Sequence, residues 1–483
     1  MDSADAWGIL GLVMSSTHGW AHVSAARKGE IIEAIRTGGA TPGPVHAELD
    51  LTDRCNVACY FCNQMDVRTK VQMPLNRVTA LVEELVAGGL RSVRLSGGGD
   101  PLAYRYVVEV LDLLHERDVV VDNLTTNGAL LRPEIVERLV ENGCREVIFS
   151  LNAASAADYA RMMQVKPAVF DQVVTRIRDL LDRRGSGPHP VVTVQFLLDQ
   201  ENLRDLPRMY ELGRELGVDR IAVNAVLEIP YDRVEKTRRL DSPDLEQIRP
   251  YLEEVLARDR ADKRLFLLFP WPSWNQAIAE IEASLESPSP DPFPIAESFR
   301  EEDGHCFFGW YSATVRATGE MYPCCMLLNP TYTPIGDTTA DGFATQWRGE
   351  GFTRLRGEMR ELLLTKGRML GLRRRYRALT PACWEPGRCA LKNMYFRGDE
   401  AFYRELGTAL DEARSREVRW LGGWAPMRRA LDVLAFRVYH GIRARSIEGF
   451  KAFRRRLRDR RWRQGWSSRR SVVAEPGAVE KEH

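Results

Sequence analysis

Six short β-rich runs alternate with helical periods between about residues 45 and 235, and this alternation restricts the possible folds more than any other feature of the chain. The predicted strands are His46–Thr52, Arg91–Ser96, Val119–Thr125, Glu146–Leu151, Val191–Leu198 and Arg220–Val226. Helical segments fall between them. One opens at Pro74 and sets Val78, Leu81, Val82, Leu85 and Val86 on one face; others run near Leu102–Leu114, Pro133–Val140, Ala157–Leu181 and Leu203–Leu216. Serial βα units build a parallel sheet, because parallel neighbours need a crossover. A closed eight-unit barrel takes about 250 residues. The expected fold is therefore α/β, a partial, six-stranded (β/α)6 TIM-like barrel over residues 45–235.

The chain has 483 residues, with 44% apolar and 28% charged, which fits neither a disordered chain nor a multi-span membrane protein. Nine cysteines are too few and too uneven for a disulfide scaffold. A reducing compartment with metal or redox chemistry follows. The apolar stretch Trp7–Met14 is short and lacks a basic flank, so no signal peptide is expected and the location reads as cytoplasmic.

The net charge of +1 speaks against a globally basic nucleic-acid binder, but it hides a split. Residues 426–470 hold 15 Lys and Arg against three acids, a net +12, which leaves −11 on the remainder. The expected domains are an N-terminal segment (1–44), the core (45–235), a connector (236–300), a cysteine-bearing module (301–400) and a basic amphipathic helical tail (401–483).

Chemistry concentrates in Cys55, Cys59 and Cys62, spaced C-x3-C-x2-C directly after the first predicted strand. Three thiolates on one loop suit a cluster with one metal position left open. Structural zinc is the alternative, but no fourth Cys or His lies close in sequence. The run from Cys55 to Cys62, with Phe61 before the third cysteine, resembles the signature of the radical S-adenosylmethionine (radical SAM) superfamily. That resemblance implies a [4Fe–4S] cluster on these cysteines whose open iron is chelated by S-adenosylmethionine. It further implies reductive cleavage to a 5′-deoxyadenosyl radical, which takes a hydrogen atom from the substrate.

Further segments resemble the same family. Gly97-Gly98-Gly99-Asp100-Pro101 is similar to its Gly-Gly-Glu-Pro segment, which holds the methionine amino group, with Asp100 replacing the common Glu. By resemblance Asn127 and Ser150 lie near the ribose or carboxylate of the cofactor. Asn152 stands where many relatives have Asp, and Asn202 and Asn224 are placed to serve similarly. Turn formation is the plainer role of each of these residues.

A second cysteine set begins with Cys306 and Cys324, spaced C-x12-G-x4-C around Gly319. Ala313–Ala317 and Met321–Cys324 read as strands of a hairpin that brings its ends together. Cys383 and Cys389 follow in a Pro/Gly-rich loop. The pattern resembles the SPASM and shorter twitch extensions of radical SAM enzymes. Thr380 and Asn393 stand where a full SPASM module has cysteines, so one auxiliary [4Fe–4S] cluster is implied on Cys306, Cys324, Cys383 and Cys389. Cys325 can exchange with Cys324, and a four-thiolate zinc site is the alternative. Cys144 reads as a buried structural thiol.

In the tail, Leu431, Leu434, Ala435, Val438, Tyr439 and Ile442 form an amphipathic stripe flanked by tryptophans. It reads first as a helix docked on the body, second as peripheral contact with an anionic membrane, and last as nucleic-acid contact. The expected activity is hydrogen abstraction from a small molecule such as a sugar or cyclitol, for oxidation, epimerisation or rearrangement. A peptide-modifying maturase is the runner-up, and a non-catalytic metal scaffold at a membrane is the alternative from another class. The expected partner is an external electron donor such as flavodoxin or ferredoxin.

Overall fold

The computed structural model describes residues 20, 23–62, 64, 68–199, 201–225, 242–262, 266–268, 306–324, 333–365 and 399–420. Seven parallel strands follow one another across the sheet: β1 (His46–Leu49), β2 (Ser92–Leu95), β3 (Val120–Thr126), β4 (Glu146–Ser150), β5 (Val191–Leu198), β6 (Arg220–Ala225) and β7 (Phe266–Leu268). Each consecutive pair is hydrogen-bonded in parallel. The crossovers are α2 (Leu75–Ala87), α3 (Val107–Glu116), α4 (Pro133–Glu141), the pair α5 (Ala156–Met163) and α6 (Ala168–Arg184), α7 (Leu206–Leu216) and α8 (Ser242–Asp262).

Alternation along the strands sorts the two faces of the sheet. Val93, Leu95, Leu124, Val147, Phe149, Val192, Val194 and Phe196 are wholly buried. The intervening Arg94, Thr125, Ile148, Ser150, Gln195 and Leu197 are only half-buried. One face is thus packed, and the other is open and largely polar. This is the partial TIM-like arrangement expected for residues 45–235, with strand ends within a few residues of the expected ones.

Three differences have physical causes. The expected continuous helix Ala157–Leu181 is two helices, because Gln164 adopts φ 55° and Pro167 cannot continue a helical hydrogen-bond ladder. The region expected as helix from Leu102 begins with a single 3₁₀ turn, Pro101–Ala103, capped by the Asp100 carboxylate on the Leu102 N–H. A helix preceding the first strand, α1 (Ala25–Thr37), was not expected; Ser24 caps its start, Gly38 at φ 78° ends it, and Ile31, Ile32 and Ile35 are buried.

The sheet also extends past both edges of the six expected strands. β7 joins β6 from within the expected connector. On the other side, β8 (Ser312–Val315) pairs in parallel with β1, then β9 (Glu320–Tyr322) and β10 (Gly336–Asp337) follow antiparallel. Helices α9 (Phe308–Tyr311), α10 (Thr338–Asp341), α11 (Phe343–Arg348) and α12 (Glu350–Thr365) accompany them, and α13 (Glu400–Trp420) closes the described chain. Trp310, Trp347 and Phe352 are fully buried, and the indoles of Trp310 and Trp347 donate to the carbonyls of Gly39 and Thr41. This segment therefore shares its core with the barrel. Among the described residues no helix is long and apolar enough to cross a membrane. The basic stripe at 431–457 lies outside the described residues.

Candidate metal centre

The loop after β1 is closed at its base. Thr52 pairs with Gln72 in an antiparallel bridge, the Asp53 N–H donates to the Val71 carbonyl, and the Met73 N–H donates to the Leu51 carbonyl. Within it, the N–H groups of Ala58 and Tyr60 donate to the carbonyls of Met163 and Met162, the last residues of α5. A helix leaves its final carbonyls unpaired, and here the cysteine loop takes two of them. The break between α5 and α6 serves this docking.

Cys59 is buried, while Cys55 and Cys62 are half-buried. The Cys59 sulfur lies 3.5 Å from Met163 Sδ, and Arg68 Nη2 donates to Cys62 Sγ at 3.2 Å. Burial pushes the Cys59 thiol up, and the neighbouring Cys62 and Cys55 push it further. Burial also raises Cys55, with Asp100 adding to it. The three sulfurs therefore feel one another as charges and need a cationic partner to ionise together. Among the described residues no three His, Cys, Asp or Glu side chains converge on a single ion. Three thiols on one loop are the donor set of an iron–sulfur cluster with one iron left for an outside ligand.

The glycine run after β2 rests on this loop. A Cβ on Gly99 would lie 2.0 Å from the Arg54 carbonyl oxygen, and one on Gly98 would lie 2.5 Å from Asp53 Oδ1. Gly97, at φ 134°, leaves no room for a Cβ beside Asp50. Sequence reasoning gave these glycines to a ligand; their closest approach is to the cysteine loop itself. The Asp100 N–H donates to the Arg54 carbonyl at 2.9 Å.

Asp100 is buried and its carboxylate is fully engaged. It accepts from Thr126 Oγ1 at 2.9 Å, from the Asn127 N–H at 2.7 Å, from Asn127 Nδ2 at 2.5 Å and from the Leu102 N–H at 2.9 Å. Burial raises its pKa, and the Asn127 and Leu102 N–H groups offset part of that rise. Asn127 Nδ2 also donates to Asn56 Oδ1 at 2.9 Å and stands 3.8 Å from Cys55 Sγ. The ends of β2 and β3 are thereby tied to the first cysteine.

Ser150, half-buried, ends β4. Asn152 follows at φ 57°, a conformation that Asn tolerates better than most residues. Its Nδ2 donates to the Ser150 carbonyl, while its buried Oδ1 has no hydrogen-bond partner among the described residues. Asn202 is spent on its own loop, donating to the Leu197 carbonyl at 2.7 Å and accepting from the Asp199 N–H at 2.8 Å. Phe61 is half-buried with its ring edge-on to Tyr60.

Sequence reasoning missed several residues here. Tyr60 donates to Asp199, so the cysteine loop is also fastened to the end of β5. Arg316, from the β8–β9 turn, donates to Asp53 Oδ1 at 3.0 Å and stands 3.7 Å from Asp50. None of these carries a motif; the tertiary fold alone brings them to the loop.

Cys306 and Cys324 are both half-buried. Cys306 precedes α9, which runs directly into β8, and Cys324 follows β9 by two residues. Because β8 is parallel to β1 and β9 returns against it, Cys324 lies level with the start of β1, opposite the end that carries Cys55. The side chains of Cys325, Cys383, Cys389 and Asn224 lie outside the described residues. Cys144 is buried and donates to the Glu146 carbonyl.

The radical SAM superfamily model matches residues 49–213, and an iron–sulfur cluster-binding (SPASM) domain model matches residues 306–384. Residues 49–213 thus form a radical SAM domain, followed by an SPASM-type domain. A radical SAM domain implies a [4Fe–4S] cluster and S-adenosylmethionine, and an SPASM domain implies auxiliary iron–sulfur chemistry. A probable GTP 3′,8-cyclase of Saccharolobus islandicus is 29% identical over 223 residues, covering 45% of this chain and 68% of that protein. The PqqA peptide cyclase of Gluconobacter oxydans is 28% identical over 182 residues, covering 37% and 49%. Streptococcus suis SuiB, solved with its precursor peptide SuiA, has a TM-score of 0.52 at 16% identity, covering 69% of this chain and 70% of SuiB, a likeness of fold.

Proposed function

We propose that this chain is an enzyme that binds S-adenosylmethionine beside a [4Fe–4S] cluster and removes a hydrogen atom from a polar small molecule. The observation that carries this reading is the closed loop of Cys55, Cys59 and Cys62, seated on the glycine run and fastened to the ends of β3, β5 and α5. These three cysteines would hold the cluster, which when bound supplies the electron for cleaving S-adenosylmethionine to a 5′-deoxyadenosyl radical.

The chain's own residues orient the reactants. Gly97 and Gly99 are half-exposed and would present backbone to the cofactor. Asn152 Oδ1 is a buried acceptor without a partner among the described residues, and an amino or hydroxyl group of the cofactor would supply a donor. Ser150 stands beside it, and Phe61 offers an aromatic face. Asp100 works indirectly by holding Asn127 against the cysteine loop. On the open sheet face, Arg94, Thr125 and Gln195 offer hydrogen bonds, with Ile148 and Leu197 between them. Such a wall suits a polyhydroxylated or otherwise polar substrate.

Cys306, Cys324, Cys383 and Cys389 would hold one auxiliary [4Fe–4S] cluster. An external flavodoxin or ferredoxin would deliver the electron. The reading is cytoplasmic, with the basic tail as the segment that would reach an anionic membrane. Similarity to the PqqA peptide cyclase favours a peptide substrate as the second reading.

Anaerobic reconstitution, iron counting and assay of 5′-deoxyadenosine after reduction test the proposal. Wild type yields 5′-deoxyadenosine and Cys59→Ala yields none. A loaded, reduced wild-type chain that makes none overturns it. Turnover with polar small molecules or with peptides separates the two substrate readings.

A further inference from the structure

Arg68 lies six residues beyond Cys62, where no motif marks it. Its guanidinium nevertheless makes three contacts within the candidate centre. Nε donates to the Gly98 carbonyl at 2.9 Å, Nη1 to the Val57 carbonyl at 3.3 Å and Nη2 to Cys62 Sγ at 3.2 Å. Val57 lies between the first two cysteines, and Gly98 is the middle of the glycine run. One side chain thus links the cysteine loop, the strand-end glycines and the third thiol. The planar fork of arginine suits this task, since it directs several donors from one rigid group, and its charge persists at all working pH values. Burial raises the thiols of Cys55 and Cys59 and the carboxyl of Asp100, and the same charge offsets part of each rise.

We propose that Arg68 is a positioning residue that raises the reduction potential of the cluster held by Cys55, Cys59 and Cys62. This rests on the proposed function. Hydrogen bonds to cluster sulfurs and nearby positive charge favour the state with one more electron. One electron passes from an external flavodoxin- or ferredoxin-type donor, which is oxidised, to the cluster, which is reduced. No proton moves, and Arg68 remains a cation. The residue governs whether that donor can reduce the cluster, while the three thiolates govern whether the cluster is held.

The test compares full-length wild type, Arg68→Lys and Arg68→Met after anaerobic reconstitution. Iron and sulfide are counted, and the reduced cluster is followed by electron paramagnetic resonance through a redox titration. With full iron content, Arg68→Met should titrate at a lower potential, with reduction about tenfold less favourable, which is about 59 mV for one electron. Arg68→Lys keeps the charge but loses the fork, and should fall between. Formation of 5′-deoxyadenosine should fall more with a weak protein donor than with a strong chemical reductant. An unchanged midpoint in a fully loaded Arg68→Met overturns the proposal. If Arg68→Met does not load, an unchanged midpoint in Arg68→Lys overturns it and a lowered one supports it. A wild type that loads no cluster overturns both this inference and the function beneath it, whereas unshifted variants of an active wild type overturn the inference alone.

Discussion

The two cysteine sets differ in how they are assembled. Cys55, Cys59 and Cys62 fall within eight consecutive residues, on a loop fastened by α5, by the ends of β2, β3 and β5, and by Arg316 from the β8–β9 turn. Cys306 and Cys324 flank a helix and a hairpin eighteen residues apart in sequence, and their proposed partners come from about sixty residues further along the chain. A local set can be recognised by spacing alone, while its support comes from everywhere else. A distributed set depends on the fold even for its ligands. Cys324 also sits level with the start of β1, whereas the Cys55 loop leaves its end, so the two centres should be separable by mutation. Cys59→Ala should abolish 5′-deoxyadenosine formation entirely. Cys324→Ala should lower iron by one cluster and block substrate turnover, yet leave cleavage of S-adenosylmethionine measurable. Iron counting beside a 5′-deoxyadenosine assay checks both, and loss of cleavage in both variants would break the comparison.

The support of the first loop can be probed without metal. Gly99→Ala forces a methyl against the Arg54 carbonyl, 2.0 Å away, and the backbone there has no flexible end to yield. A cost of about 1–3 kcal/mol is expected from overpacking. Gly357→Ala places the same methyl in open space on α12 and should be neutral or stabilising by about 1 kcal/mol through helix propensity. Urea unfolding of the apoprotein distinguishes the two, and equal midpoints would show that the glycine run is not needed for packing.

Much of this architecture was legible beforehand because apolar periodicity reports burial directly. Val78, Leu81, Val82 and Leu85 marked one face of a helix, and all four are buried there. The break after Met163 is marked in the sequence only by Pro167, against an apolar pattern that runs through it; the docking of the cysteine loop on the last carbonyls of α5 was not legible. The pairing of β8 with β1 joins residues 46 and 312, and no local pattern encodes a partner so distant. Arg68, Tyr60 and Arg316 were missed for the same reason. Their partners are backbone carbonyls, carboxylates and, for Arg68, the Cys62 sulfur, none marked by a motif around these residues. The glycine run was found, but its tightest contacts belong to Asp50, Asp53 and Arg54 and could not be read from the motif.

Asp100 sharpens the contrast between motif and environment. The resembling segment commonly has Glu here, yet this carboxylate already accepts four donors at Asp length, from Leu102, Thr126 and Asn127. Asp100→Glu adds a methylene inside a buried network and should cost about 1–3 kcal/mol while displacing Asn127 from Cys55. Thermal unfolding of the apoprotein reads the first effect, and slower cluster uptake reads the second. Unchanged stability would mean that the network accommodates either length.

A pH-dependent effect concerns Asp50, which lies between the first loop and the hairpin that carries Arg316. Burial pushes its carboxyl up to about 8; Asp53 adds to the rise, while the Gly98 N–H and Arg316 pull it back. In the unfolded chain this group ionises near pH 3.9. Between these values the folded chain keeps a proton that the unfolded chain has released, so unfolding gives up a proton and stability falls as pH rises. The contribution is fully present below about pH 4 and is lost as pH climbs through about 8. Asp50→Asn removes the titration and keeps the shape, so its stability should decline less than that of wild type between about pH 5 and pH 8. Denaturant unfolding of both apoproteins across that range measures the difference. Parallel declines would place the Asp50 charge firmly on Arg316 at neutral pH, and the hairpin would then hold the cysteine loop by an ion pair in place of a neutral contact.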